Sequence, residues 1–285
     1  MPPVQRNGGL QPQNLALTIA GTHIREPGER VWSGGFVKLL QEFGFSTEAS
    51  RAALARLVQR DLLAREMDGR RALYTLTDHA VELLTRGDER IFKFGRPEPS
   101  REVWTVLWHA IPEGRRAERT RFATGLRFLG FGSVQDATWF AAHDREAAVV
   151  RLATSLEIAE YVSVFIGRMS DRLPPGILVG QAWDLAAVGE GYRRFLDDYG
   201  HLRRAGDRRV LSRRDAFVTR TLMLHQFRGF PFIDPEIPAS VGGHPQLRKR
   251  VVSLFDVVYA GLAAAAIKHF EDVAQPEFTR RPSAA

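Results

Sequence analysis

The chain contains no cysteine, which excludes disulfides, thiolate catalysis and cysteine-ligated zinc together. Lysine is scarce: Lys38, Lys93, Lys249 and Lys268 are the only lysines among 40 basic side chains. GC-rich coding DNA produces the same arginine excess, so the bias alone assigns no partner. No apolar run reaches the roughly eighteen residues that a membrane-spanning helix needs, so no membrane partner is expected. The opening stretch MPPVQRNGGLQPQN lacks the apolar segment of a secretion signal, and a cytoplasmic location is the expectation. The 8 histidines form neither H-x-x-x-H nor H-E-x-x-H, so no local metal site is expected. Walker, G-x-G-x-x-G and G-x-S-x-G motifs are also missing, and no cofactor is expected.

What is present is a 285-residue chain, long enough for two or three domains. Hydrophobic residues make up 44% and charged residues 26%, an ordinary globular balance. The net charge is +7 and the sequence pI about 10.2. Residues 1–96 carry +3, residues 97–182 are neutral and residues 183–285 carry +4. A basic surplus of this size suits a polyanionic partner without requiring one.

The first block spans residues 15–94. LALTIAGTHIR reads as a helix. GGFVKLLQEFG reads as a second, with Phe36, Leu39, Leu40 and Phe43 at helical spacing. Ser46 is placed to cap a third helix, TEASRAALARLVQRD. Its apolar stripe is Ala53, Leu54, Leu57 and Val58, and Glu48, Ala52, Arg56 and Gln59 lie on the opposite face. Next, Asp68-Gly69 marks a hairpin between two short strands, with Arg70 and Arg71 at its tip. Thr77 caps a further helix, DHAVELLTR, which Gly87 is expected to close. Three helices, a hairpin and a helix make a winged helix-turn-helix, a frame that offers one helix to the DNA major groove.

The second block, residues 101–172, alternates strand and helix. VWTVLWHAI reads as a buried strand, and EGRRAERTRFATGLRFLG as a helix. SVQDATWFAA reads as one or two strands. REAAVVRLATSLE is a helix capped by Asp144, and EYVSVFIGR is a last strand. That order predicts a ferredoxin-like α/β middle domain. The third block, residues 181–274, is helical throughout. WDLAAVGEGYRRFLDDYG opens it, and Ser212 and Asp215 form a capping box ahead of AFVTRTLMLHQFRG. FPFIDPEIPASVGGHP reads as a loop, and one long helix closes the block. The fold class is therefore α+β: a winged helix, a ferredoxin-like middle domain and an all-helical C-terminal domain. Residues 1–14 and 275–285 are expected to be disordered.

Three segments, in order and at matching spacing, resemble the PaaX family of bacterial transcriptional regulators. The first block carries GGFVKLLQEFGFSTEASRAALARLVQRDLL and then DGRRALYTLT. The second carries WTVLWHAIPEGRRAERTRFATGLRFLGFG. The third carries AWDLAAVGEGYRRFLDDY and DAFVTRTLMLHQFRGFPFIDPEIP. The likeness spans about residues 15–270. It implies the same three-part fold and a dimeric repressor of a catabolic operon, bound to double-stranded operator DNA. The best-known members of the family act on phenylacetate degradation and leave DNA when phenylacetyl-CoA binds.

On this reading Thr47, Glu48, Arg51, Ala52, Arg56 and Gln59 face DNA. Arginine pairs bidentately with guanine, and alanine touches a thymine methyl. Arg51 either holds a phosphate or covers the core with its stem. Arg70 and Arg71 suit phosphates or the minor groove. The competing reading is a solvated helix face and an exposed turn. For the effector, a small molecule such as an aryl- or acyl-CoA thioester, the pairs Arg203/Arg204, Arg208/Arg209 and Arg213/Arg214 offer an anion site near a helix N-terminus. The alternative is a solubilising basic loop. Trp183, Tyr192, His225 and Arg228 either line an acyl pocket or pack between helices.

Two other functions compete. One is a metal-dependent nuclease built on the middle domain, which would need converging carboxylates. Its first strand instead ends in WHAIPEG, with His109 and a lone Glu113. The other is a DNA-binding dimer without any small-molecule ligand.

Overall fold

The computed structural model describes residues 10–96, 103–135, 137–170, 172 and 176–274. In chain order it opens with α1 (Pro12–His23), β1 (Val31–Trp32), α2 (Ser33–Gln41) and α3 (Thr47–Gln59). There follow β2 (Leu63–Asp68), β3 (Arg71–Leu76), α4 (Asp78–Lys93), β4 (Trp104–His109) and α5 (Arg116–Phe128). Next come β5 (Gly132–Gln135), β6 (Thr138–Ala142), α6 (Glu146–Ser155), β7 (Val162–Gly167) and α7 (Gly176–Ala182). The rest is α8 (Leu185–Tyr199), α9 (Ala205–Arg209), α10 (Arg213–Phe227), α11 (Phe230–Ile233), α12 (Pro245–Gly261) and α13 (Ala263–Ala274).

These elements fall into two compact units. The first comprises Met1–Glu89, Asp198–Phe227 and Leu254–Ala285, and the second Arg90–Asp197 and Arg228–Ser253. The segment 181–274, helical as its sequence predicts, is shared between the two.

In the first unit, α1, α2 and α3 bury Leu15, Ile19, Phe36, Leu39, Leu40, Leu54 and Leu57 in one core. The same core takes Phe217 from α10 and Ala266, Phe270 and Ala274 from α13. Phe43 meets Phe217 edge-on at 5.9 Å, and His23 stacks on Phe270 at 4.4 Å. The approach of α13 to α2 is close enough to require glycine. A Cβ on Gly35 would lie 2.6 Å from the Val273 carbonyl oxygen. Full burial of rings such as Phe217 and Phe270 is the main source of this stability, at about 2–3 kcal/mol each.

In the second unit the four-stranded sheet has the order β5-β6-β4-β7, with every neighbouring pair antiparallel. That order, with α5 and α6 as crossovers, is the ferredoxin-like arrangement. Leu107, Trp139 and Ala141 on one face pack against Phe122, Leu126, Val149 and Ala153 of the two helices. The other face is divided. Trp104 and Ala142 pack with Val179, Trp183 and Ile237, whereas Trp108 and Phe165 are 45% and 54% exposed and stack on each other at 4.7 Å.

A buried polar cluster closes this unit. Arg248 donates to both oxygens of Asp234, at 2.6 and 3.0 Å, and the Tyr192 hydroxyl donates to the same carboxylate. Glu236 accepts from Arg90 and, at 3.1 Å, from the Gly95 amide, with Arg145 3.7 Å away. Burial pushes the Glu236 carboxyl up, but Arg90, Arg145 and Arg248 outweigh it and hold the group below its ordinary range.

Several local expectations need correction. Helix α1 starts at Pro12, inside the stretch expected to be disordered; proline at N1 loses no hydrogen bond there. Residues 1–9 and 275–285 lie outside the described residues. The two-residue strand β1 pairs with β3 and gives no periodic signal of its own. The hairpin turn is Gly69-Arg70, flanked by the pair Asp68↔Arg71, one residue later than Asp68-Gly69. Gly69 has φ +60°, which fits a turn with its left-handed residue first.

Helix α4 runs through Gly87 to Lys93, because Ile91 beyond the glycine is buried and its burial outweighs the entropic cost of one helical glycine. Strand β4 alternates, burying Thr105, Leu107 and His109 rather than its whole length. The proline-rich loop contains the short helix α11. The long closing helix is two, α12 and α13, bent by 51° at Leu262. No single helix among the described residues is long and apolar enough to cross a membrane.

Candidate nucleic-acid interface

The third helix begins where the Ser46 hydroxyl accepts the Ala49 amide at 3.1 Å. The Gln41 side chain donates to the Thr47 hydroxyl at 2.9 Å, tying the end of α2 to the first residue of α3. Thr47 is therefore half-buried and positions the helix. Glu48, Arg51, Ala52, Arg56 and Gln59 are all exposed, as the helical spacing predicts. The Glu48 carboxyl is held below its ordinary value by its own backbone amide and the Ser46 hydroxyl. It thus serves the start of the helix, where the helix dipole favours a negative charge. Arg51, Ala52, Arg56 and Gln59 remain as the outward face.

The wing reaches past the core. Leu63 is buried, but Arg65, Glu66, Met67 and Asp68 are exposed, as are Arg70 and Arg71 beyond the turn. Tyr74, on the central strand, is buried against Phe36 at 6.3 Å and anchors the hairpin. Arg65 is a further exposed arginine that the sequence pattern did not single out. It stands opposite Tyr74 in register, and only the pairing reveals that it shares the anchored strand pair.

The expected effector residues do not all fall in one unit. Arg208, Arg209, Arg213 and His225 belong to the first, and Trp183, Tyr192 and Arg228 to the second. Arg208 donates to the carbonyls of Leu202 and Arg203, at 2.7 Å each, and so closes a turn of its own chain. Arg213 pairs with Asp272 at 3.3 Å, and Arg209 is exposed. His225 Nδ1 lies 3.3 Å from the Thr18 hydroxyl, and Arg228 is half-buried. Tyr192 is fully buried and bound to Asp234; burial and that carboxylate push its hydroxyl pKa well up. It packs the core rather than a cavity. Trp183, by contrast, lines a cleft of about 830 Å³ with Val179, Leu185, Ser240 and Val241.

Among the described residues no group of three His, Cys, Asp or Glu side chains could hold a metal ion. His109, the residue at the end of the middle domain's first strand, is mostly buried and packs edge-on against Phe122 at 5.9 Å. Burial, with Arg119 nearby, lowers its pKa. Neither observation favours the nuclease reading.

Family models match three consecutive stretches of the chain. They are the PaaX-like protein model over residues 11–80, the PaaX protein central Cas2-like domain over 97–178 and the PaaX-like protein C-terminal domain over 183–272. Among curated proteins the chain is 24% identical over 232 residues to the transcriptional repressor PaaX of Escherichia coli (strain K12), covering 79% of this chain and 72% of that one. Among solved structures it resembles an uncharacterized protein from Mycobacterium tuberculosis, with a TM-score of 0.50 and 21% identity over 90% of this chain and 96% of that one. This last likeness concerns the fold alone.

Proposed function

Because the chain belongs to the PaaX family, we propose that it is a DNA-binding transcriptional repressor of a catabolic operon, not an enzyme. The observation that carries this reading is the exposed face Arg51, Ala52, Arg56 and Gln59 on α3, in one compact unit with a wing tipped by Arg70 and Arg71. In this reading α3 enters the major groove, where Arg56 and Gln59 read base edges. The wing holds the backbone and contributes affinity rather than sequence choice.

The protein acts in the cytoplasm as a homodimer on a palindromic operator, its two α3 helices about 34–36 Å apart or a multiple of that. A small molecule, an aryl- or acyl-CoA thioester, releases it. The thioester binds more tightly to a conformer whose helices no longer match the half-sites, since equal affinity for both conformers would shift nothing. The cleft beside Trp183 is the proposed seat of the acyl group.

A mobility shift on the DNA upstream of the protein's own gene, repeated with a panel of acyl-CoA thioesters, tests both parts. A sequence-specific shift released by one thioester supports the whole reading. A specific shift that the panel leaves untouched removes the thioester. No specific shift removes the repressor.

A further inference from the structure

The segment from His201 to Arg214 contains six arginines and a single acidic residue, Asp207. The structure sorts these arginines by what holds them. Arg208 is spent on the carbonyls of Leu202 and Arg203. Arg213 pairs with Asp272, and Arg214 lies 4.0 Å from Glu42 and 3.9 Å from Asp215. The side chains of Arg203 and Arg204 have no hydrogen bond or ion pair among the described residues. Both line a cleft of about 880 Å³ in the first unit, together with Leu202, Val210, Leu211 and Thr219, whereas Arg209 is exposed and is not among the residues that line it.

Its chemistry has two halves. Arg203 and Arg204 are consecutive residues whose side chains have no ion pair with a carboxylate among the described residues. Asp207 and Asp215 also border the cleft, and Asp215 is occupied by the Ser212 hydroxyl at 2.8 Å. Planar guanidiniums bind carboxylate and phosphoryl groups in bidentate geometry. The second half is apolar. Val210 is 83% exposed, above every other exposed large hydrophobic of the described residues, and Leu202 and Leu211 continue that wall. Val210 thus gives the cleft an open apolar wall beside its two arginines.

We propose that this cleft binds a small organic anion, with its phosphoryl or carboxylate group on Arg203 and Arg204 and its apolar body on Val210. Backbone phosphates of DNA share the anion chemistry, but a concave cleft with an apolar wall suits a free small molecule better. The site is separate from the cleft beside Trp183, and it does not depend on the repressor reading: a chain that bound no operator would still bind the anion.

Phenyl phosphate is the probe, with inorganic phosphate and phenol as its two halves and a short random-sequence duplex as the polymer control. Binding is read by calorimetry on the full chain. The wild type is expected to bind one phenyl phosphate more tightly than either half. Arg203→Gln with Arg204→Gln weakens phenyl phosphate by about tenfold or more and leaves the thermal midpoint without ligand unchanged. Val210→Ser weakens phenyl phosphate by about threefold and leaves inorganic phosphate unchanged. In the glutamine variant, duplex affinity and its salt dependence stay as in the wild type. Equal binding of phenyl phosphate by wild type and glutamine variant overturns the proposal. So does a loss confined to duplex binding, which would make these arginines DNA-backbone contacts.

Discussion

The imidazole of His269, on the last helix, lies 2.8 and 3.0 Å from the two carboxylate oxygens of Glu42, at the end of α2. The pair is mostly buried, and it joins residues 227 positions apart. Helix α3, the proposed DNA-reading helix, thus shares its core with α13. With Phe270 sharing the core of Phe36 and Leu54, Phe270→Ala is expected to cost about 3–5 kcal/mol. Hydrogen exchange of α1, α2 and α3 amides should accelerate along with α13. Unchanged protection of α1–α3 would show that the C-terminal helices are not part of that core.

His23 should make the first unit acid-sensitive. Burial, with Arg220 adding to it, pushes its pKa down to about 3 from 6.5. The neutral ring is therefore what the fold accommodates. Its contribution is complete above the unfolded value and is lost as pH falls from about 6.5 toward 3. By linkage, roughly 2 kcal/mol should go between pH 7 and pH 5. His23→Phe, which keeps a ring on Phe270, should lose that much less over the same interval in urea titrations. Identical pH profiles for the two proteins would place the acid sensitivity elsewhere.

The buried cluster in the second unit is expected to fail when one partner is removed. Glu236→Gln leaves Arg90 and Arg145 facing a neutral group, and a loss of about 3–5 kcal/mol follows. Because the Glu236 pKa is lowered in the fold, its contribution is present above the ordinary value of 4.5 and lost as pH falls below it. Chemical denaturation at pH 7 checks the first statement. A loss under about 1 kcal/mol would show that Arg90 and Arg145 are not stranded without the carboxylate, and that the cluster behaves as a solvated one.

Wing arginines should act on all sequences alike. Arg70→Ala with Arg71→Ala is expected to weaken operator and random duplex by the same factor. The slope of log affinity against log salt should flatten by about one for each phosphate that the wing no longer neutralises. A weakening confined to the operator would mean that the wing reads bases.

Much of this was legible in the sequence because it rested on local rules. The Ser46 cap and the opposed faces of α3 follow from helical spacing, and the strand-helix alternation of residues 101–172 follows from period and turn residues. The illegible parts are tertiary. A two-residue strand such as β1 carries no period, and the burial of Phe217 and Phe270 says nothing of which core receives them. The six arginines of residues 201–214 are one composition signal. Only the fold separates Arg208, which closes a turn, from Arg203 and Arg204, which line a cleft. The sequence leaves Tyr192 either lining an acyl pocket or packing between helices, and what decides for packing is its bond to Asp234, 42 residues away.

The most direct test of the central claim is the ratio of operator to random-duplex affinity, measured by fluorescence anisotropy for the wild type and for Arg56→Ala. The account predicts a strong preference for the operator in the wild type. In Arg56→Ala the operator should weaken by about 1–3 kcal/mol, with random duplex far less affected, so that the ratio falls. A wild type without preference, or a variant whose ratio equals that of the wild type, would contradict the assignment of α3 as the helix that reads DNA.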